Sequence, residues 1–348
     1  MDLSLGVLIA QMGTYPSLGV ILVLVVLVTI VSGATDAPNA IATAVSTRCM
    51  KPSVALAVAA IFNFVGLMGM TYISTAVADT MFNMVDFSGD THVALMALMA
   101  AMIGSIIWGV FCWWRGIPAS KSHSLIAGIT GGAIALNGFS GVIISEWMMV
   151  IYGMLFSLLA GFAIGWIVVR LFEQLFKYVN RRKGNDVCVV VQNILAAVLA
   201  FLHGAQDGQK FMSIGVLGIA LSFGIEDAGS TGFPMWLMIT CSLAMSLGTV
   251  IGGKRIIKSV AMDMVRLEKY QGVAASISTA TTLLVSSLVG MPVSTSHCNT
   301  SAIMSVGASK NPRDVKWNIA GNMVLAWILT FPCCGFIGFV LAKLFMLL

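Results

Sequence analysis

The chain has 348 residues, of which 58% are hydrophobic and only 9% are charged. Soluble domains carry about 25% charged residues, so the composition excludes an ordinary soluble protein and predicts an all-α polytopic membrane protein. Long apolar runs also exclude an outer-membrane barrel, whose strands are short and alternate apolar with polar residues. The net charge of +5 comes from basic residues in short loops, and it does not indicate nucleic-acid binding.

Apolar runs long enough to cross a bilayer as helices recur along the whole chain. We expect about ten segments, since one crossing needs about 20 residues. The segments are 17–46, 53–74, 93–114, 116–136, 147–172, 187–222, 235–252, 273–290, 292–308 and 317–346. The first and sixth are long, and we expect each to be broken at a polar motif. Segments 116–136 and 292–308 are short or rich in Gly and Ser, so we expect either re-entrant hairpins or full crossings there.

Charge alternates from loop to loop between these segments. The basic residues that define one side are Arg48, Lys51, Arg115, Lys121, Arg170, Lys177, Arg181, Arg182, Lys183, Lys254, Arg255, Lys258, Arg266, Lys269, Lys310, Arg313 and Lys316. The loops in between contain Asp79, Asp86, Asp90, His92, Glu146, Glu226 and Asp227. Because basic loops stay in the cytoplasm, we expect a multi-pass protein of the plasma membrane with both termini outside.

Residues 254–271 are the one sizeable charged stretch. Apolar Ile256, Ile257, Val260, Met264 and Leu267 recur there at helical spacing among basic residues. This pattern predicts an amphipathic helix at the cytoplasmic face of the membrane.

An aspartate lies deep in the first apolar segment. Asp36 follows the apolar run 18–31 and stands between Gly33 and Pro38. A carboxylate inside a membrane segment is costly, so it is read first as part of a functional site. The neighbouring proline predicts a break in the helix at this motif.

The same kind of motif returns in the second half of the chain. Gly33-Ala34-Thr35-Asp36 aligns with Gly204-Ala205-Gln206-Asp207, 171 positions later. Pro118-Ala119-Ser120-Lys121-Ser122-His123 aligns with Pro292-Val293-Ser294-Thr295-Ser296-His297, 174 positions later. Two motifs in one order at nearly one period indicate a duplication.

Five segments in each half predict that the second half enters the membrane from the opposite side. We therefore expect an inverted-topology repeat, with residues 1–175 as the first repeat, a basic cytoplasmic linker at 176–186, and residues 187–348 as the second repeat. In transporters of this architecture, broken helices meet near the midplane and form the substrate and ion sites.

The two buried aspartates need partners, because an isolated buried carboxylate is strongly disfavoured. Lys210 follows Asp207 by three residues, and Asn39 holds the matching position beside Asp36. An Asp207–Lys210 ion pair with only a structural role is one interpretation. A functional role is favoured because Asp36 lies at the matching depth without a lysine at that spacing.

The serine motifs supply hydroxyl groups that we expect at the beginnings of helices. Free backbone N–H groups at a helix N-terminus, together with hydroxyls, form an anion site. Carboxylates nearby can hold a coupling cation or accept a hydrogen bond from a protonated oxyanion. Phosphate at neutral pH carries such a proton and sulfate does not, so the aspartates favour phosphate.

His123 and His297 follow the serine motifs. Histidine titrates near neutral pH and can relay protons, but a packing histidine between helices is equally consistent with the pattern. His203 beside the second motif is a further candidate for a relay. An intramembrane enzyme is disfavoured, since adjacent Ser122 and His123 point in different directions on a helix. A channel is also disfavoured, because buried charges in two inverted halves fit a carrier better than a pore.

The four motifs together resemble those of the inorganic phosphate transporter (PiT) family, and the match spans both halves. The resemblance implies a transporter rather than an enzyme, with cation-coupled uptake of inorganic phosphate across the plasma membrane, no cofactor or resident metal, and a homodimer in the lipid bilayer. It implies that the substrate-binding residues are Thr35, Asp36, Asn39, Ser120, Ser122, Gln206, Asp207, Lys210, Ser294, Thr295 and Ser296. Residues expected to serve the coupling ion or a proton relay are Asp36, Asp207, His123 and His297.

The sequence departs from the family pattern in both aspartate motifs. The usual G-A-N-D motif has Thr35 and Gln206 in place of Asn, and the second motif continues as D-G-Q-K. An ammonium group at Lys210 can replace a sodium ion, so a proton is favoured over sodium as the coupling cation. Because both Asp36 and Asp207 are present, we expect the substrate to be phosphate, free or as a neutral metal–phosphate complex. Related members of the superfamily move sulfate, which is the alternative substrate.

Overall fold

The structure is a computed structural model, and it describes residues 5–115, 120–225, 227–257 and 265–347. Regular structure in these ranges is helical, as the composition predicted. In chain order the helices are α1 Leu5–Thr14, α2 Pro16–Thr35, α3 Ala37–Ser46, α4 Pro52–Ile73, α5 Ala76–Asn83, α6 Thr91–Arg115, α7 Lys121–Asn137, α8 Ile144–Leu175, α9 Arg181–Ser222, α10 Met235–Ile257, α11 Lys269–Val289, α12 Thr295–Lys310 and α13 Trp317–Phe345.

Eight helical segments of the described ranges are long and apolar enough to cross a membrane, with α2 and α3 together forming the first. All ten predicted segments correspond to helices. The two short ones are α7, with 17 residues, and α12, with 16. At 1.5 Å per residue these measure about 25 Å, less than the hydrocarbon core of about 30 Å, which favours the re-entrant alternative.

The two polar motifs differ in local structure. In the first half the helix ends at Thr35, and α3 begins at Ala37 with Pro38 in its first turn. In the second half α9 runs without interruption through His203–Lys210. The prediction of a second broken helix is therefore wrong. The physical reason is that no proline follows Asp207, so the ladder of backbone hydrogen bonds continues.

The cytoplasmic helix expected at 254–271 falls largely on residues 258–264, which lie outside the described residues. On its two sides α10 ends at Ile257 and residues 265–268 are not helical before α11 begins. The predicted linker 176–186 contains a 3-10 turn at Phe176–Tyr178, and its last residues already belong to α9.

The two halves of the chain interlock. The four most extensive helix pairs are α7 with α13, α2 with α10, α4 with α9 and α8 with α12, and each joins the first half to the second. A duplicated frame in which each half completes the other produces this reciprocal pattern. The inverted orientation of the two repeats stays a prediction.

Glycines at the beginning of each motif permit the closest of these contacts. A Cβ at Gly204 would lie closer than 3.0 Å to the carbonyl oxygen of Asn63 on α4, and one at Gly33 would meet Met245 on α10 in the same way. Small residues let membrane helices approach backbone to backbone. The glycine of each G-A-x-D motif is thus needed for packing, and this packing positions the aspartate that follows it.

We expect Gly204→Ala to destabilise the protein by about 1–3 kcal/mol, because the added methyl group has to push α9 and α4 apart. The measurement is the thermal unfolding midpoint in detergent micelles. Gly321→Ala on α13 is the control, since a Cβ there meets nothing within 4 Å. Equal midpoints for the two variants would contradict the packing role of Gly204.

Candidate functional site

The predicted site residues lie together in the protein interior, between the α2–α3 junction, the middle of α9 and the beginnings of α7 and α12. Each is at most 4% exposed; they are Thr35, Asp36, Asn39, Ser120, Ser122, Gln206, Asp207, Lys210, Ser294, Thr295 and Ser296. Residues from both halves therefore share one buried polar region.

Asp207 is the centre of the largest polar cluster. Its Oδ1 accepts hydrogen bonds from Lys210 Nζ at 2.9 Å and from Ser122 Oγ at 3.0 Å. Its Oδ2 accepts one from Thr295 Oγ1 at 3.2 Å. Lys210 Nζ also donates to Ser122 Oγ and to the carbonyl oxygen of Val293. The ammonium and two hydroxyls from the serine motifs thus neutralise and solvate one buried carboxylate.

Asp36 has a different set of donors. Its Oδ2 accepts from the backbone N–H of Lys121, the first residue of α7, at 3.1 Å. Its Oδ1 is 3.4 Å from Ser296 Oγ, which in turn accepts from Asn39 Nδ2 at 2.8 Å. The free N–H group that we expected to bind an external oxyanion therefore binds this carboxylate in the structure.

Lys121 corrects a sequence-based assignment. The charge pattern places it in a basic loop, and the sequence offers no lysine beside Asp36 at the spacing of Lys210 from Asp207. The Lys121 side chain is completely buried, its aliphatic part passes Gly109 of α6, and its charge attracts the Asp36 carboxylate. Asp36 therefore does have a cationic neighbour, which comes from α7 rather than from its own helix.

The first serine of each motif caps a helix. Ser120 accepts a hydrogen bond from His123 N and begins α7, and Ser294 accepts one from His297 N and begins α12. Capping of this kind satisfies one of the N–H groups left free in the first turn. The expected helix starts are confirmed. Pro292 precedes α12 by three residues, and Pro118 is outside the described residues.

Two predicted binding residues bond away from the carboxylates. Thr35 Oγ1 donates to the carbonyl oxygen of Val31 in its own helix. Gln206 Nε2 donates to the carbonyl oxygen of Met291 at 3.2 Å. Both lie in the same interior region, but neither side chain donates to Asp36 or Asp207, which are bound by Lys210 and by hydroxyls of the serine motifs.

His123 and His297 pack against each other. Their ring centroids are 4.6 Å apart in an edge-to-face arrangement, with Phe331 beside one ring and Trp327 beside the other. Among the described residues, the four ring nitrogens have no hydrogen-bond partner. This environment favours the packing interpretation, and a relay through these two rings stays a prediction.

Sequence reasoning missed two polar residues that reach the Asp207 cluster. Asn63 on α4 bonds His203 at 2.9 Å and Thr249 on α10 at 3.1 Å, and His203 Nε2 lies 3.2 Å from Asp207 Oδ2. A lone asparagine in the apolar segment 53–74 was the available signal, since polar residues inside membrane helices are seldom idle. Thr249 gave no signal, because threonine is a common packing residue in such helices.

The polar region is closed in this structure. A cavity of about 10 Å³ is lined by Asn39, His203, Thr279, Thr295 and Asn299, among others. That volume holds about one water molecule and is much too small for a tetrahedral oxyanion. Access of any larger solute to the aspartates therefore requires the surrounding helices to move.

A multi-pass helical protein with paired carboxylates buried between its two halves belongs to the class of membrane transporters. Residues 32–338 match the phosphate transporter family. The chain is 33% identical to a probable low-affinity inorganic phosphate transporter of Bacillus subtilis, over 92% of this chain and 96% of that protein. A protein of the same description from Rhizobium meliloti is 34% identical over 88% of this chain and 90% of its own length. The chain belongs to the phosphate transporter family.

One solved structure has the same fold. It is described as the sodium-dependent phosphate transporter, with a TM-score of 0.88 over 96% of this chain and 100% of that one, at 20% sequence identity. The likeness extends the correspondence from the motifs to the arrangement of nearly all the helices.

We expect Lys210→Met to destabilise the protein by about 3–5 kcal/mol, because it removes the cation that neutralises buried Asp207. The double variant Asp207→Asn/Lys210→Met should recover part of that loss. The measurement is thermal unfolding in detergent micelles, evaluated as a double-mutant cycle.

Lys310→Met is the matched control for this prediction. Lys310 pairs with Glu268 at the same N–O distance of 2.9 Å, but its side chain is 56% exposed. Exposed pairs contribute about 0–1 kcal/mol. If Lys210→Met and Lys310→Met unfolded at the same temperature, the Asp207–Lys210 pair would not have the assigned energetic weight.

Proposed function

We propose that the protein is a secondary active transporter that takes up inorganic phosphate across the plasma membrane together with a cation. The observation that supports this most directly is the pair of buried carboxylates, Asp36 and Asp207, each bound by donors from the beginning of α7 or α12. Carboxylates held by hydroxyl and N–H donors occupy the kind of site that an oxyanion would enter.

In the proposed cycle, the two carboxylates give up donors to the substrate. The hydroxyls of Ser122, Thr295 and Ser296 now point at carboxylate oxygens, and small rotations would turn them toward phosphate oxygens. The released carboxylates then accept hydrogen bonds from the P–OH group that phosphate retains at neutral pH. Because sulfate has no proton to donate, it would leave both carboxylates short of donors, at a cost typical of unpaired buried charges.

The position of Lys210 favours one coupling cation over another. Its ammonium is completely buried against Asp207, where it supplies the positive charge that a sodium ion would otherwise bring. We therefore propose a proton as the coupling cation, with phosphate entering free or as a neutral metal–phosphate complex. The structural neighbour described as sodium-dependent makes sodium the specific alternative.

The proposal also covers the orientation of the transporter in the membrane and its assembly. The basic loops are proposed to face the cytoplasm, which leaves both termini outside, by the positive-inside rule. A homodimer embedded in the bilayer, with the two inverted repeats rocking against each other around the buried site, completes the proposal.

The direct test is uptake of labelled phosphate into proteoliposomes under separate proton and sodium gradients, with sulfate as competitor. We expect a proton gradient to drive accumulation and sulfate to compete weakly. If sulfate enters while phosphate neither enters nor competes, the substrate is wrong. If only a sodium gradient drives uptake, the interpretation of Lys210 is wrong.

We expect Asp36→Asn and Asp207→Asn each to abolish phosphate uptake, because an amide has no negative charge to balance the buried lysines and only one oxygen to accept hydrogen bonds. The measurement is initial uptake rate, normalised to the amount of correctly inserted protein. The control is Asp79→Asn on α5, and this variant should transport normally. Normal transport in either of the first two variants would give that aspartate a structural role only.

A further inference from the structure

A line of buried polar side chains leads from α10 across α4 to the second motif on α9. Thr249 Oγ1 donates to the carbonyl oxygen of Met245 at 2.8 Å. A hydroxyl has one hydrogen, so this oxygen can only accept from Asn63, whose Nδ2 is 3.1 Å away. The Asn63 amide therefore has one orientation, in which Oδ1 faces α9.

This orientation fixes the tautomer of His203. Asn63 Oδ1 is 2.9 Å from His203 Nδ1, and an amide oxygen can only accept, so Nδ1 carries a hydrogen. In neutral His203 the lone pair must then be on Nε2, which lies 3.2 Å from Asp207 Oδ2. A lone pair and a carboxylate oxygen repel each other at that distance, so the pair is satisfied only when a proton is present between them.

That proton belongs on the imidazole. Asp207 already accepts hydrogen bonds from Lys210, Ser122 and Thr295, and these favour its ionised form. The Nε2 atom is near Oδ2 without an aligned hydrogen bond. His203 also lines the one-water cavity described above, so its proton has a neighbouring space through which to exchange.

The net charge of the region indicates why phosphate needs this proton. The carboxylates of Asp36 and Asp207 balance the ammonium groups of Lys121 and Lys210, so the region is neutral with His203 neutral. One proton on His203 makes it +1, which matches one monoanionic dihydrogen phosphate. Without the proton, the bound anion would leave the region with a net charge of −1, so proton binding and phosphate binding favour each other.

We propose that His203 carries the coupled proton on Nε2, and that Asn63 and Thr249 are positioning residues that hold the other ring hydrogen on Nδ1. This inference rests on the proposed phosphate uptake and deepens it. A proton from the side of phosphate entry binds the Nε2 lone pair, travels with the substrate, and leaves from the same atom to the opposite side. No covalent bond other than N–H forms or breaks.

Among the residues that the structure describes, four charged groups lie around His203. Asp207 and Lys210 come from its own helix, Asp36 from the α2–α3 junction and Lys121 from α7. Helices α4, α10, α11 and α12 contribute Asn63, Thr249, Thr279 and Thr295, none of which titrates. The pH response of the site is thus expected to follow His203 with its carboxylate neighbour.

His203→Gln is the first test, because glutamine is polar but does not take up a proton. In proteoliposomes we expect this variant to lose proton-driven accumulation of labelled phosphate and to keep exchange of internal for external phosphate. Retained proton-driven accumulation overturns the proposal. Loss of exchange as well also overturns it, since His203 would then be needed for binding or folding and not for the proton.

The second test uses two substitutions of Asn63 with opposite expected signs. Asn63→Asp places a negative charge beside Nδ1 and stabilises the imidazolium. The pH at which uptake falls to half should therefore rise by about one to three units. Asn63→Leu removes the oxygen that accepts from Nδ1 and should lower the pH at which uptake falls to half. Thr249→Val, a milder change that frees the Asn63 amide to turn over, should move it in the same direction as Asn63→Leu.

Ser246→Ala is the matched control. Ser246 is on α10 and bonds the carbonyl oxygen of Ala60 on α4, so it loses a contact between the same two helices without touching His203. Its pH profile should equal that of the unchanged protein. Shifts of the Asn63 variants in one direction, or no shifts, overturn the role of Asn63. Absence of phosphate uptake by the unchanged protein at every pH would instead overturn the proposed function.

Discussion

The interaction on which the rest of the structure depends is the neutralisation of Asp207 deep inside the helical bundle. Its carboxylate is bound by Lys210 one turn away and by hydroxyls from the beginnings of α7 and α12, and His203 Nε2 lies 3.2 Å from it. These groups come from both halves of the chain, so the carboxylate can be solvated only when the halves are assembled. The reciprocal packing of α4 with α9 and of α2 with α10 brings them together.

The donors at the beginnings of α7 and α12 already have anionic partners. Asp36 accepts from the first N–H of α7, and Asp207 accepts from hydroxyls of both serine motifs. In the proposed transporter these carboxylates keep the donors oriented when no substrate is bound, so that little has to be reorganised when phosphate arrives. The same arrangement would make the empty site stable in the closed form, in which the adjoining cavity holds about one water molecule.

The sequence was sufficient to predict the helical segments, the two repeated motifs and most of the buried site residues. Hydropathy fixes where a helix can cross, and a carboxylate in an apolar segment is a strong signal because it is costly there. The continuity of α9 was missed because the motif of the first half, with Pro38, was transferred to a second half that has no proline. The burial of Lys121 was missed because a lysine at a segment boundary normally faces water, and only the packing of α7 against α6 shows otherwise.

Asn63 and Thr249 were missed for a different reason. Each is a polar residue in a largely apolar helix, and nothing in its immediate sequence indicates which of several helices it faces. Asn63 contacts His203, and Thr249 contacts Asn63. This arrangement depends on the close approach of α4 to α9 at Gly204, so it is a property of three helices at once. The orientation of one amide, and with it the position of one hydrogen, is therefore set by tertiary packing.

The difference between the two motifs has a mechanical consequence. Helix α9 has 42 residues without a break, so it is a rod of about 63 Å, roughly twice the thickness of the hydrocarbon core. Its first turn contains Arg181 and Arg182, and its middle contains His203, Asp207 and Lys210. A rod transmits a tilt along its whole length, whereas the junction at Asp36 can bend as a hinge. A displacement of the basic end of α9 would therefore also move the charged residues in its middle, while the α2–α3 junction bends at Asp36.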